Sequence, residues 1–237
     1  MIKLENVVLA SPEQMKFIIE GMRNPMNSWE KSDSSCGKAT RVTNAQWSDD
    51  YFIGTNDANL MLRLSKAGTD HRKFMRMMPV YVRITAPLYW WKEFDTYKVG
   101  TVANSCSTMH KIAEKEFTLD DFSTEHLASQ TRQVLEITID DLNDSRSIYL
   151  KTKNKGDWWQ MIQLLPSSYN QTRNVMMNYE VLTNIYKSRK DHKLDEWREF
   201  CKWIEELPYS ELITEATIPP YIKALFPEPW NCERGEK

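Results

Sequence analysis

The stretch from Pro79 to Met109, PVYVRITAPLYWWKEFDTYKVGTVANSCSTM, constrains the fold more than any other part of this chain. Val80–Ile84 reads as a strand, and Pro79 sits at its start, where a missing N–H is tolerated. The β-rich run ends at Ala86-Pro87, and the aromatic segment Pro87–Asp95 opens a helix with Pro87 at its first position. Small, hydrogen-bonding residues follow, and Gly100–Ser107 reads as a loop of the kind where backbone approaches a ligand closely.

With 237 residues the chain can bury a substantial core, and a single domain over 1–237 is expected. A net charge of −2 gives no electrostatic argument for nucleic acid or for an anionic membrane. No segment approaches the roughly 20 apolar residues needed to span a bilayer. The start MIKLENVVLA lacks a basic region followed by an apolar run, so a cytoplasmic protein without a signal peptide is expected. Cys36, Cys106, Cys201 and Cys232 form no CxxC pair and read as free thiols. Four scattered histidines lack metal-ligand spacing, and no metal is expected. Neither GxGxxG nor GxxxxGK[ST] occurs, which argues against a Rossmann or P-loop site.

Ile2–Leu9 reads as a strand. Ser11-Pro12-Glu13-Gln14 starts a helix whose face is Met15, Ile18, Ile19 and Met22. Asn24–Gln46 is polar and reads as a long loop, whereas Asp57–Lys66 is helical and stops at Gly68. Leu119–Asn154 holds polar helical stretches, weakened by the β-branched triplet Ile137-Thr138-Ile139. Asp157 caps a short helix running through Leu165 to Pro166. In Leu194–Leu207 a stripe of Trp197, Phe200, Cys201, Ile204 and Leu207 ends at Pro208. The tail over 218–237 reads as irregular.

As a helix, Asn178–Arg189 places Asn178, Leu182, Ile185 and Arg189 within about 60° of one another. Leu182 and Ile185 call for burial, so Arg189 either finds an anion or several acceptors, or it snorkels or pairs with a neighbouring carboxylate.

The pattern Asn178-x-x-x-Leu182-x-Asn184-x-x-x-x-Arg189 resembles N-x-R-S-L-x-N-F-L-x-L-R of flavin-dependent thymidylate synthases. It follows Leu165-Pro166 and precedes His192 and Glu196-Trp197-Arg198, which resemble that family's H-A-Q-W-E-I-R. Asn104 and Ser107 match the Asn and second Ser of its signature RHR-x-x-S-x-N-E-x-S-x-R. Gly68–Arg76 resembles a G-H-x-S/T-x-x-E-H element, with His71 on the first histidine. These matches keep the family order over roughly residues 55–205.

The departures fall on charges. Tyr97, Lys98 and Val99 replace Arg, His and Arg; Val102, Ser105 and Met109 replace Ser, Glu and Arg. Glu180 replaces the Arg of N-x-R, Ile162 an Arg before the Leu-Pro, and Lys73 and Arg76 the Thr and Glu of the histidine element. Arginine grips phosphate through planar paired hydrogen bonds that these side chains do not reproduce.

The resemblance implies an α+β fold, a twisted, mainly antiparallel sheet flanked by helices, in a homotetramer with sites at subunit interfaces. It implies a pyrimidine nucleotide, FAD, and a methyltransferase reaction of nucleotide biosynthesis: dUMP is methylated with methylenetetrahydrofolate while NADPH reduces the flavin. His71, Asn104, Asn178 and Asn184 would hold the cofactor. Lys98, Ser107 and Arg189 would bind substrate, with Ser107 and Arg189 the catalytic candidates. A non-catalytic homologue with a repurposed site is the alternative. On the residues alone, Asn104 and Ser107 either contact a ligand or cap a helix starting near Ser105. Asn178 and Asn184 either contact flavin or satisfy polar groups in helix packing, and Cys106 is either a site thiol or a small packed hydrophobe. Trp90-Trp91 and Trp158-Trp159 serve as core or as stacking platforms.

Overall fold

The structure is a computed structural model that describes residues 2–38 and 49–214. Strand β1 (Lys3–Leu9) leads into helix α1 (Pro12–Arg23). The ribbon β2 (Ser35–Lys38) and β3 (Asp49–Phe52) precedes α2 (Thr55–Lys66) and the short α3 (Lys73–Arg76). Strand β4 (Pro79–Pro87) runs into α4 (Leu88–Phe94), and β5 (Val102–Ser105) follows. Helices α5 (Ser129–Thr152) and α6 (Lys155–Leu164) come before β6 (Asn170–Asn178). The chain then forms α7 (Tyr179–Arg189), α8 (Asp195–Glu205) and α9 (Glu211–Thr214). The main sheet has the order β1-β4-β6-β5 with every pairing antiparallel, so the expected α+β class with a helix-flanked antiparallel sheet holds.

Strand β4 shows why the sheet packs on one side. Val80, Val82, Ile84 and Ala86 are buried, while Tyr81 and Arg83 face out. Pro79 and Pro87 stand at its two ends, where a missing N–H costs the ladder least. Strand β1 carries an irregularity between Glu5 and Val8, with Asn6 at a φ of 52°. The extra residue restores the inward phase, so Leu4 and Leu9 both pack on the core although they lie an odd number of positions apart.

The capping box at Ser11 and Gln14 forms as read, and Met15, Ile18, Ile19 and Met22 are all buried. Gly68 has a φ of 105° just beyond α2, a conformation glycine adopts without strain. An aromatic cluster fills the main core. Trp90 lies 4.7 Å from Trp197 and 5.0 Å from Phe94, ring centre to ring centre, with Phe200 alongside. Trp90 and Trp91 are therefore core residues. A second, smaller core gathers Ile112, Phe117, Phe122, Leu135, Ile139, Leu142 and Met161.

Several local expectations change. Gly100–Ser107 contains an edge strand, β5, because its backbone pairs with β6; no helix starts near Ser105. Ile137-Thr138-Ile139 sits inside one continuous α5, since Ile139 packs in the second core and outweighs weak β-branched propensity. Asn154, not Asp157, caps α6, its side chain accepting from the Gly156 N–H at 2.8 Å. The described part of Asn24–Gln46 holds two short 3-10 turns and β2. Residues 39–48 and the tail over 218–237 lie outside the described residues. Among the described residues no helix is long and apolar enough to cross a membrane, and no His, Cys, Asp and Glu side chains cluster as metal ligands.

Candidate functional site

The β4–β6 register runs from Pro79 opposite Asn178 to Pro87 opposite Asn170, and β5 adds Val102 opposite Met176 and Asn104 opposite Asn174. The Pro79–Met109 stretch and the Asn178–Arg189 helix are thereby neighbours. They meet at Gly100, whose φ is 78°. A Cβ there would stand 2.9 Å from Asn178 Nδ2 and 3.1 Å from Val181 Cγ2. Asn178 is itself fixed, because its Oδ1 accepts the Val181 N–H at 3.0 Å and caps α7.

A corner between α3 and α7 holds the densest charge. Arg72 Nε donates to Glu180 Oε1 at 3.2 Å, and its Nη2 to Asn184 Oδ1 at 3.4 Å. Arg76 donates to both Glu180 oxygens and, through Nη2, to the Thr69 carbonyl at 3.1 Å. Burial pushes the Glu180 carboxyl up, but hydrogen bonds and charge from Arg76 and Arg72 outweigh it and hold it below the usual range. Arg76 and Glu180 are the two positions where charge is reversed relative to the family motifs, and they are partners in one ion pair.

At the far end of α7, Arg189 donates from Nη1 to Glu93 Oε2 at 2.8 Å and from Nε to the Tyr97 hydroxyl at 3.0 Å. Its guanidinium lies 4.9 Å from the Trp197 ring centre. Trp197 Nε1 donates to the same Glu93 oxygen at 2.9 Å. Of the alternatives open to Arg189, it takes a neighbouring carboxylate. Arg173 is held in the same way by Asp95 at 2.7 Å and lies over Trp91.

The remaining candidates are spread around these points. Asn104 is exposed on the outer sheet face and lines a shallow groove with Asn174, Tyr81, Arg83, Val102 and Met176. Ser107 Oγ accepts the His110 N–H at 2.9 Å and the Met109 N–H at 3.3 Å, so it closes a turn rather than a helix. Cys106 is exposed, which corrects its reading as a packed hydrophobe: its backbone, not its thiol, is used, donating to the Thr172 carbonyl and accepting from Gln171 Nε2. His71 and Lys98 are exposed, and Lys98 makes no ion pair with a described residue. Trp158 is half-buried with Nε1 on the Met109 carbonyl, and Trp159 is exposed.

One chain therefore brings together Asn178, Asn184 and the His71–Arg76 segment. Asn104 is four strand positions from Asn178, about 13 Å away, and Arg189 is eleven helical positions away, about 16 Å. Arg72, Glu93 and Asp95 escaped the sequence reading. Arg72 adjoins His71, and Glu93 and Asp95 follow the Trp90-Trp91 pair, but nothing local marks their distant partners.

No protein-family model matches the chain, and no curated protein matches it by sequence. Solved structures do match. The flavin-dependent thymidylate synthase ThyX from Helicobacter pylori, complexed with FAD and dUMP, superposes with a TM-score of 0.60 over 90% of this chain and 96% of that one, at 14% identity. A second ThyX structure from the same organism, also with FAD and dUMP, gives 0.59 over 90% and 97%, again at 14% identity. The fold is ThyX-like. Within it, the arginines near the matched motifs already hold carboxylates: Arg72 and Arg76 hold Glu180, Arg189 holds Glu93, and Arg173 holds Asp95. Each of these arginines would have to release its carboxylate before it could grip a phosphate.

Proposed function

We propose that this chain is a divergent ThyX-like protein that binds a pyrimidine nucleotide, with FAD as its candidate cofactor. The main support is the extent of the likeness: the fold is shared over 90% of this chain with a structure that holds both FAD and dUMP. The abutment of Gly100 on Asn178 adds to it, because it sets the two motif-bearing segments side by side. In this reading His71, Asn104, Asn178 and Asn184 offer hydrogen bonds to the flavin. Lys98, Ser107 and Arg189 face the nucleotide, with Ser107 and Arg189 the catalytic candidates. Neutral amides and a hydroxyl suit a base and sugar, and exposed Lys98, which makes no ion pair with a described residue, is a cation that can meet a phosphate. The spread of these residues within one chain agrees with a homotetramer whose subunits complete each other's sites. The first reaction to assay is reductive methylation of dUMP with methylenetetrahydrofolate and NADPH.

A second reading, a non-catalytic homologue serving as a binding or structural module, is favoured by one observation. Arg72, Arg76, Arg173 and Arg189 are each engaged by a carboxylate of the same chain.

Purified protein separates the two. Yellow protein that releases flavin on denaturation, or that melts higher with FAD or dUMP, supports the nucleotide reading. A ligand at 100 times its dissociation constant adds about 2.7 kcal/mol. Colourless protein with no response to FAD, FMN or pyrimidine nucleotides overturns it. Gel filtration tests the tetramer, and a clean monomer argues against shared sites.

A further inference from the structure

We infer that Arg72 and Arg76 form an oxyanion site that this chain fills with its own Glu180 carboxylate. Two guanidinium groups converge on one carboxylate, and the Asp70 carboxylate also acts on Arg76 from nearby. Arg72 is 7% exposed, so its charge is committed to this spot and cannot swing out to water. Both guanidiniums are also held by neutral acceptors, Arg76 by the Thr69 carbonyl and Arg72 by Asn184 Oδ1. Those bonds do not involve Glu180 and would keep the pair aimed at the same point without it. The point lies in the first turn of α7, where the helix end adds favourable potential for an anion.

A tethered carboxylate holds its place against free ligand because its effective concentration is millimolar or higher. Phosphate and phosphate monoesters are the class with matching charge and geometry, since an arginine pair presents forked donors to them. The natural chain therefore refuses phosphate at this corner, and any phosphorylated ligand must place that group elsewhere. Glu180 acts here as a specificity determinant by occupation. The inference rests on the ion pairs alone and goes beyond the nucleotide reading, so either can fail without the other.

The test uses the full chain, inorganic phosphate as probe, and chloride at matched ionic strength as reference. Glu180→Gln keeps the side-chain shape and removes the charge. It is expected to bind phosphate roughly tenfold more tightly than the natural chain, the equivalent of one charge-assisted hydrogen bond, and to melt higher in phosphate. Glu180→Asp keeps the charge and gains no response, and Arg72→Gln added to Glu180→Gln abolishes the gain. If Glu180→Gln folds poorly in chloride, phosphate should raise its refolding yield. Equal phosphate response in the natural chain and in Glu180→Gln overturns the inference. So does a folded Glu180→Gln that ignores phosphate, or a misfolded one that phosphate does not rescue.

Discussion

Replacing Gly100 with alanine strikes the contact that joins the two motif-bearing segments. At a φ of 78° an L-residue is strained, which costs about 1–2 kcal/mol. The new methyl would also lie 2.9 Å from Asn178 Nδ2 and 3.1 Å from Val181 Cγ2, closer than carbon packing allows. Asn178 cannot yield freely, because its Oδ1 holds the α7 cap at 3.0 Å, and losing that cap costs about 1 kcal/mol. Gly100→Ala should therefore destabilise by about 2–4 kcal/mol, allowing for partial relaxation. Urea unfolding followed by tryptophan fluorescence reads this as a lower midpoint at an unchanged slope. Asn178→Ala alone should cost about 1 kcal/mol. The double variant should fall short of the sum, since the amide that collides with the methyl is gone. A Gly100→Ala chain within about 0.5 kcal/mol of the natural one, or strict additivity in the cycle, refutes the claim that this turn is wedged against the cap.

Other expectations follow from single sites. Asp57 is fully buried and accepts from Arg23 Nε at 2.6 Å, Ser32 Oγ at 2.7 Å and Ser34 Oγ at 2.6 Å. Asp57→Ala leaves the buried Arg23 charge unpaired and should cost about 3–5 kcal/mol by urea unfolding, part of which Arg23→Met recovers. Burial raises the Asp57 and Glu180 carboxyls, but serine and arginine donors reverse this, so both end below their ordinary values of 3.8 and 4.5. Their stabilisation is thus fully present above those values and is lost as pH falls through the folded-state values. Melting temperature should drop on acidification below about pH 4.5, and Glu180→Gln should flatten that drop. Burial, with Glu205 and Asp191 nearby, pushes the Cys201 thiol up to about 12. An alkylating reagent at pH near 8 should modify exposed Cys106 in the folded chain and reach Cys201 only after unfolding, as read by peptide mass.

Much of the helical framework was legible because it depends on near neighbours. Ser11, Gln14 and the Met15–Met22 face encode α1 within a dozen residues, and the α8 stripe is buried as its spacing demands. The Ile2–Leu9 strand was recognisable, but its broken alternation was not, since the bulge at Asn6 answers to packing against β4. Strand β5 carries no local signal for the same reason: Val102–Ser105 is exposed throughout and is a strand only by virtue of its backbone bonds to β6. The site shows the same divide. Motif spacing found the segments that abut at Gly100 and Asn178. It did not find Glu93 under Arg189, or Arg72 and Arg76 around Glu180, because these pairs join residues about a hundred positions apart.

The division of the interior into two cores has a dynamic consequence. The smaller one, around Leu142 and Met161, adjoins the sheet through Tyr169 and a few backbone bonds, among them Leu88 N–H to the Tyr169 carbonyl and Ser123 N–H to the Ser168 carbonyl. So small an apolar cluster opens more readily than the aromatic one, and its amides should exchange with deuterium as a group ahead of β4 and β6. The turn that carries Ser107 is tied to this part of the molecule, because Trp158 Nε1 on α6 holds the Met109 carbonyl at 3.0 Å. Ser107 therefore inherits the breathing of the α5–α6 arm, while Asn178 keeps the rigidity of the sheet.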